Sequence, residues 1–203
     1  MKPKLVGIAG GSGAGKSTVC YELLDSHPDL FEVINLDDYH KKKTEPDLPM
    51  IDGRINWDHP DIITWEKLLA DIGTLLSGNE VVIETWSHRS NPDYAQHRTM
   101  IPRTIKPAPI MLLEGYLALY NDELNTKYAR KYYLELDDTT RNSRRGKNGL
   151  AGGEGYVESV VLPMHRQYVE PTKTKADKVL DVSQMSVSDV CSVLYEDLKS
   201  SVL

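Results

Sequence analysis

The stretch "GGSGAGKS", Gly10 to Ser17, restricts this chain more than any other. It fits the pattern G-x-x-x-x-G-K-[ST] and stands between a short apolar run and a helical pattern. Glycines at these spacings let the backbone curl so that successive N–H groups point inward at phosphate oxygens. The helix N-terminus that follows adds a field favourable to anions. Lys16 is long enough to reach β- and γ-phosphates, and the Ser17 hydroxyl is a ligand of the kind Mg²⁺ takes. The cradle comprises Gly10, Gly11, Ser12, Gly13, Ala14, Gly15, Lys16, Ser17 and Thr18. Such a loop implies ATP or GTP. It leaves open what becomes of the triphosphate.

Around the loop, short apolar runs alternate with longer helical patterns. "KLVGIAG", "FEVINL", "EVVIETW", "APIMLLEG", "KYYLELD" and "DKVLDVS" read as strands. "GKSTVCYELLDSH", "IITWEKLLADIGTLLSG", "YNDELNTKYA", "DTTRNSRR", "VESVVLPMHRQYVEP" and "SVSDVCSVLYEDLKSSVL" read as helices. Gly78 stops the second helix, and Asp138, Thr139 or Thr140 stands near the N-cap of the fourth. Pro163 is expected to kink or split the fifth. Alternation of this kind implies βαβ units and a parallel sheet with helices on both faces. The 203 residues, 40% of them hydrophobic, suit one such α/β domain.

A net charge of −6 argues against nucleic acid as a partner, because a phosphate backbone wants a basic face. A small phosphate ligand remains compatible if the basic groups gather locally. The two cysteines, Cys20 and Cys191, form no metal or disulfide pattern. "MKPKLVGIAGG" lacks an apolar core of signal-peptide length, and no stretch approaches about 18 apolar residues. A reduced, cytoplasmic protein away from membranes is expected.

What the triphosphate serves depends on "VINLDDYHKKK", Val33 to Lys43. Two acids directly behind a buried strand form a turn, a metal site or a base awaiting a hydroxyl. A switch GTPase carries a guanine-reading Asn/Thr-Lys-x-Asp, and "NTKY" at Asn125 lacks the Asp. A kinase needs an acceptor and a group to take its hydroxyl proton.

Six segments, in order, resemble the uridine kinase family of P-loop kinases, which is related to nicotinamide riboside kinases and phosphoribulokinases. They are "GIAGGSGAGKST", "NLDDYHK", "WDHPD" (Trp57 to Asp61), "LLEGYLALYNDEL", "DDTTRNSRR" and "PTKTKAD", and they span about residues 4 to 181. The resemblance implies the P-loop NTPase fold: a five-stranded parallel sheet with helices on both faces and a mobile lid. The lid corresponds to about residues 146–156, and nucleoside-binding insertions to about 38–61 and 86–106.

Residue by residue, the resemblance makes Asp37 the base for a nucleoside 5′-hydroxyl, with Asp38 secondary. Asp58 matches an acid holding the ribose hydroxyls, and Glu114 the acid near Mg²⁺. Arg141, Arg144 and Arg145 match the basic helix leading into the lid, where arginines contact phosphates and ribose. For the base, two placements compete in "ETWSHRSNPDYAQHRT": Trp86, His88 and Arg89, or Tyr94, His97 and Arg98, the distance to Glu114 favouring the second. "GKNGLAGGEGY" has fewer basic residues than the lids of uridine kinases, and "GYVESVVLPMHRQY" resembles nicotinamide riboside kinases. The implied reaction is phosphoryl transfer to a small-molecule nucleoside, uridine or cytidine first and nicotinamide riboside second. A regulatory P-loop NTPase is the alternative from another class, and a homo-oligomer stays open.

Overall fold

The apolar run before the glycine loop is strand β1 (Lys4–Ala9), and the helix behind it is α1 (Lys16–Ser26). There follow β2 (Phe31–Asn35), β3 (Met50–Ile51), β4 (Arg54–Ile55), α2 (Trp65–Leu76), β5 (Val81–Thr85), α3 (Tyr94–His97), β6 (Ile101–Ile105) and β7 (Ile110–Glu114). The chain continues through α4 (Asp122–Asn125), β8 (Tyr128–Glu135), α5 (Asp138–Lys147), α6 (Leu162–Met164), β9 (Lys178–Asp181) and α7 (Val187–Ser201). This computed structural model describes residues 2–87, 89–147 and 155–203, and only the backbone at 95, 142 and 145–147. Most of the expected lid, 146–156, therefore lies outside the described residues.

The main sheet has five strands in the order β2-β7-β1-β8-β9, with every neighbouring pair parallel. All five residues of β7 are buried, as expected of a strand covered on both faces. Alternate side chains serve opposite layers. Leu5, Met111 and Leu113 pack with Leu68, Ile72 and Leu75 of α2. Val6, Ile8 and Leu112 pack with Val19 and Leu23 of α1 and Leu194 and Leu198 of α7. Gly7 of β1 has a packing reason, since a Cβ there would lie 2.8 Å from the Tyr128 ring.

Two expectations need correction. "EVVIETW" is a strand, but β5 pairs antiparallel with β6 in a hairpin outside the main sheet. Its burial alternates residue by residue, the signature of a hairpin with one wet face. The helix expected over "YNDELNTKYA" is only the single turn α4, because the chain already enters β8 at Tyr128. At the start of α5, beside Asp138, the Oδ1 of Asp137 accepts from Thr140 N at 2.9 Å. Around Pro163 the helix changes winding: π-helical Val157–Val161 and His165–Val169 flank the three residues of α6. Among the described residues, no helix is long and apolar enough to cross a membrane.

The last layer is tied down by one carboxylate. Asp197 on α7 accepts from Arg130 Nε (2.9 Å) and Tyr132 Oη (2.6 Å) on one oxygen, and from Lys178 Nζ (3.1 Å) on the other. Partial burial pushes this carboxyl upward, but the donors from Tyr132, Arg130 and Lys178 outweigh it and hold it down to about 2. Its folded value lies below the ordinary ~3.9, so its stabilisation is complete above about pH 4 and disappears as pH falls toward 2. Asp197→Ala should cost about 3 kcal/mol at pH 7, and the deficit should shrink below pH 3. Thermal melts across pH check both.

Candidate active site

The site lies where α/β sheets expose their binding crevice, at the carboxyl ends of the central strands. Register brings three strand ends level: Glu114 of β7 faces Ile8 of β1 on one side and Asn35 of β2 on the other. The glycine loop leaves β1 just beyond Ile8, and Asp37 leaves β2 two residues beyond Asn35. Both therefore converge on Glu114.

Close approach explains Gly10, Gly11 and Gly13 of the loop. Gly10 has φ +145, and a Cβ there would lie 2.4 Å from the Leu134 carbonyl oxygen. Gly11 abuts the guanidinium of Arg141, leaving no room for a side chain. Lys16 is buried and donates to the Gly11 carbonyl at 3.0 Å, so its ammonium is folded back over the loop. Burial lowers its pKa, while Glu114 and Asp37 act to raise it. Ser17 Oγ donates to Glu114 Oε1 at 2.9 Å.

Glu114 is 2% exposed, and burial pushes its carboxyl up to about 7 against the pull of Lys16. Asp37 and Asp38 push it the same way, and the Ser17 hydrogen bond acts against them. A cavity of about 560 Å³ joins Ser12 to Val19, Asp37, Glu114, Tyr116 and Arg144. Its far wall is apolar, formed by Val182, Met185, Val187 and Val190. The cavity pairs an anion cradle and acids with a greasy shelf.

Both aspartates lie in the 3-10 turn Leu36–Tyr39, which sends their side chains in different directions. Asp37 lines the cavity, and its buried Oδ1 has no hydrogen-bond partner. Asp38 turns to the hairpin, where its Oδ1 accepts from Thr85 Oγ1 at 2.8 Å. Burial pushes Asp38 up to about 6. Asp58 is half-buried, and Tyr156 Oη donates to its Oδ2 at 3.1 Å while accepting from Trp57 N. Tyr116 Oη donates to the Trp57 carbonyl at 2.8 Å. His40 stacks on Trp57 and meets Tyr116 edge-on.

Arg141 is 2% exposed, donating to the Leu136 carbonyl and to Asp138 beneath the loop. Arg144 is exposed at the cavity mouth, 3.5 Å from the Gly13 carbonyl. The side chain of Arg145 lies outside the described residues. Of the two sets weighed for a base, Tyr94 stands 5.9 Å from the Trp86 ring, with Arg98 over its face and His97 exposed beside it. Trp86 reaches the site itself, donating from Nε1 to the Asp37 carbonyl at 3.0 Å. Arg89 instead pairs with Asp25 on α1, and His88 lies outside the described residues. Lys42 pairs with Glu84, away from the cavity.

Sequence reasoning assigned no role to His40, Tyr116 or Tyr156. The first two stand next to motif acids, at Asp37+3 and Glu114+2, which was a usable signal. Tyr156 reaches Asp58 across 98 residues of chain, and no local pattern announces that contact.

A strand–loop–helix phosphate cradle facing acids at the ends of β2 and β7 defines a P-loop kinase architecture. The chain belongs to the phosphoribulokinase/uridine kinase family, whose sequence model matches residues 5–190. It is 33% identical over 190 residues to a uridine kinase of Lactobacillus helveticus, covering 88% of this chain and 86% of that one. A uridine kinase of Halobacterium salinarum is 33% identical over 192 residues, covering 90% and 82%. Among solved structures, a possible uridine kinase from Bacillus stearothermophilus superposes with a TM-score of 0.63 at 16% identity, covering 89% of this chain and 90% of that one. Shikimate kinase from Acinetobacter baumannii superposes with 0.55 at 15% identity, covering 98% and 95%. These two likenesses concern the fold alone.

Glu114 yields a test of the site's electrostatics. A carboxyl raised to about 7 binds its proton more tightly folded than unfolded, so stability falls as pH rises from about 4.3 through about 7. Without ligand, in EDTA, the wild type should lose roughly 3 kcal/mol of stability across that window. Glu114→Gln should lose less than half as much, read from denaturant melts at pH 5 and pH 8.

Proposed function

We propose that this protein transfers the γ-phosphoryl group of ATP or GTP to the 5′-hydroxyl of a ribonucleoside, uridine or cytidine first. The observation that carries this reading is the shared cavity, in which Asp37 faces the cradle and the Ser17–Glu114 pair. A carboxylate with an unpartnered buried oxygen opposite a phosphate cradle is suited to take an alcohol's proton. In the transfer, the O5′–H proton passes to Asp37, the O5′–Pγ bond forms and the bond from Pγ to the bridging oxygen breaks. A nucleoside 5′-monophosphate and a nucleoside diphosphate leave.

The transition state is loose, so positioning and charge neutralisation do most of the work. Loop N–H groups, Lys16, Arg144 and Arg145 supply neutralisation, and Arg141 holds the loop from below. Asp58 takes the ribose hydroxyl pair, between Trp57 and Tyr156, and Tyr94, His97 and Arg98 lie toward the base. Mg²⁺ fits the residues present: the Ser17 hydroxyl and the Glu114 carboxylate are 2.9 Å apart, in a pocket with more buried carboxylate than ammonium. Ser17 and Glu114 would hold the ion, and among the described residues no group of three or more His, Cys, Asp or Glu completes a protein cage around it. It would supply charge neutralisation on the β- and γ-oxygens.

Nicotinamide riboside is a second acceptor, favoured by Trp57 and Tyr156 beside Asp58, since electron-rich rings suit a cationic pyridinium. ADP release with ATP and Mg²⁺ across uridine, cytidine, adenosine, nicotinamide riboside and no acceptor discriminates these readings. Turnover should require one nucleoside; steady turnover without any would instead mean a regulatory or hydrolytic NTPase. Asp37→Asn should bind nucleotide but lose at least about 100-fold in kcat. Asp58→Ala should raise the nucleoside KM far more than the ATP KM.

A further inference from the structure

The buried atoms around Asp37 include two without a hydrogen-bond partner that face one another. Asp37 Oδ1 is one and His40 Nε2 is the other, and they stand 3.6 Å apart. A buried polar atom left unpaired costs on the order of 1–3 kcal/mol, so a facing pair of them needs a reason. One imidazole N–H donated across this gap would satisfy both.

The surroundings hold the imidazole ready for that bond. His40 closes the turn bearing Asp37, its own N–H donating to the Asp37 carbonyl at 3.2 Å. Its backbone bridges Ile63, while the flanking Lys41 N donates to the Ile62 carbonyl at 2.7 Å. The ring lies between Trp57 and Tyr116, with centroids 6.1 and 6.2 Å away, and the side chain is only 16% exposed. With backbone and ring face both held, a small side-chain rotation is the freedom left, and it closes the gap to hydrogen-bond length. The charged groups facing this imidazole are Asp37 on its own turn and Asp58 on the loop after β4.

We infer that His40 is a positioning residue: its Nε2–H holds Asp37 Oδ1, so that the other oxygen presents its lone pair to the acceptor hydroxyl. The inference rests on the reading of Asp37 as the base. A base that rotates freely spends much of its time misaligned, and a small misplacement of a catalytic group is costly in rate. The carboxylate also borders Glu114 and Asp38, which repel it, and Lys16, which attracts it. A donor at Oδ1 fixes its orientation against these opposing pulls without adding a formal charge.

His40→Phe and His40→Gln separate this role from packing. Phenylalanine keeps the stack on Trp57 but has no N–H, whereas glutamine places a donor near the Nε2 position and abandons the stack. His40→Phe should lower kcat by about 10- to 100-fold. Both KM values should change less than about threefold, and His40→Gln should recover most of the rate. In an Asp37→Asn background, His40→Phe should change kcat less than about twofold, because the two residues act as a unit. Wild-type kcat in His40→Phe, a loss confined to KM, or glutamine no better than phenylalanine overturns the proposal. Failure of the reading beneath it looks different: Asp37→Asn would itself turn over like wild type.

Discussion

Everything at this site depends on holding the Glu114 carboxylate out of water. An isolated buried charge costs many kcal/mol, so the surrounding groups are constrained to serve it. Ser17 donates to it, and Lys16 on the same helix turn supplies the opposite charge. That requirement couples the first turn of α1 to the end of β7, and hence the curvature of the loop to the register of the sheet. The imbalance is visible in the acid's raised pKa, which a bound cation would relieve. A buried acid perturbed in this way is common at sites that bind charge.

Arg141 solves a second problem, the support of a glycine loop that cannot support itself. Glycines permit the curl but contribute no side chains, so rigidity must come from beneath. The guanidinium fills the space under Gly11, and the Arg141 backbone crowds Gly13. Its donors end on the Leu136 carbonyl and Asp138, so the charge is satisfied by α5 and the chain leading into it. A lone arginine on a helix usually points to water. This one is the floor of the cradle.

Legibility in the sequence follows the range of the interactions. The glycine loop, the strand-end acids and the five parallel strands are readable because each is specified within a few residues, by apolar runs and spacing. The hairpin β5–β6 escaped because the run "EVVIETW" was read for apolarity alone. Its alternation, Val81 and Ile83 inward with Val82 and Glu84 outward, already distinguishes it from the fully buried "IMLLE". Pro102 masked the partner strand, yet proline is tolerated in a hairpin that no third strand flanks. Arg141 and Tyr156 were opaque for another reason: what they touch is set by tertiary packing, and no pattern near either residue encodes it.

The helical rod from Val157 to Val169 shows what such packing adds. On one side it grips the loop that carries Asp58: Tyr156 just before it reaches Asp58, Asn56 Nδ2 donates to Met164 Sδ at 3.2 Å, and Tyr168 meets His59 at 3.2 Å. On the other side Arg166 pairs with Asp138, beside the arginine that floors the cradle. Two π-helical turns in one short rod are unusual, and their wider winding rotates successive side chains relative to an α-helix. Met164 and Tyr168, four apart and so on one face of the rod, both meet the Asp58 loop, while Arg166 faces α5. The rod therefore spans the acid loop and the phosphate loop as one body, and its N-terminal end, Tyr156, emerges directly from the segment expected to form the lid.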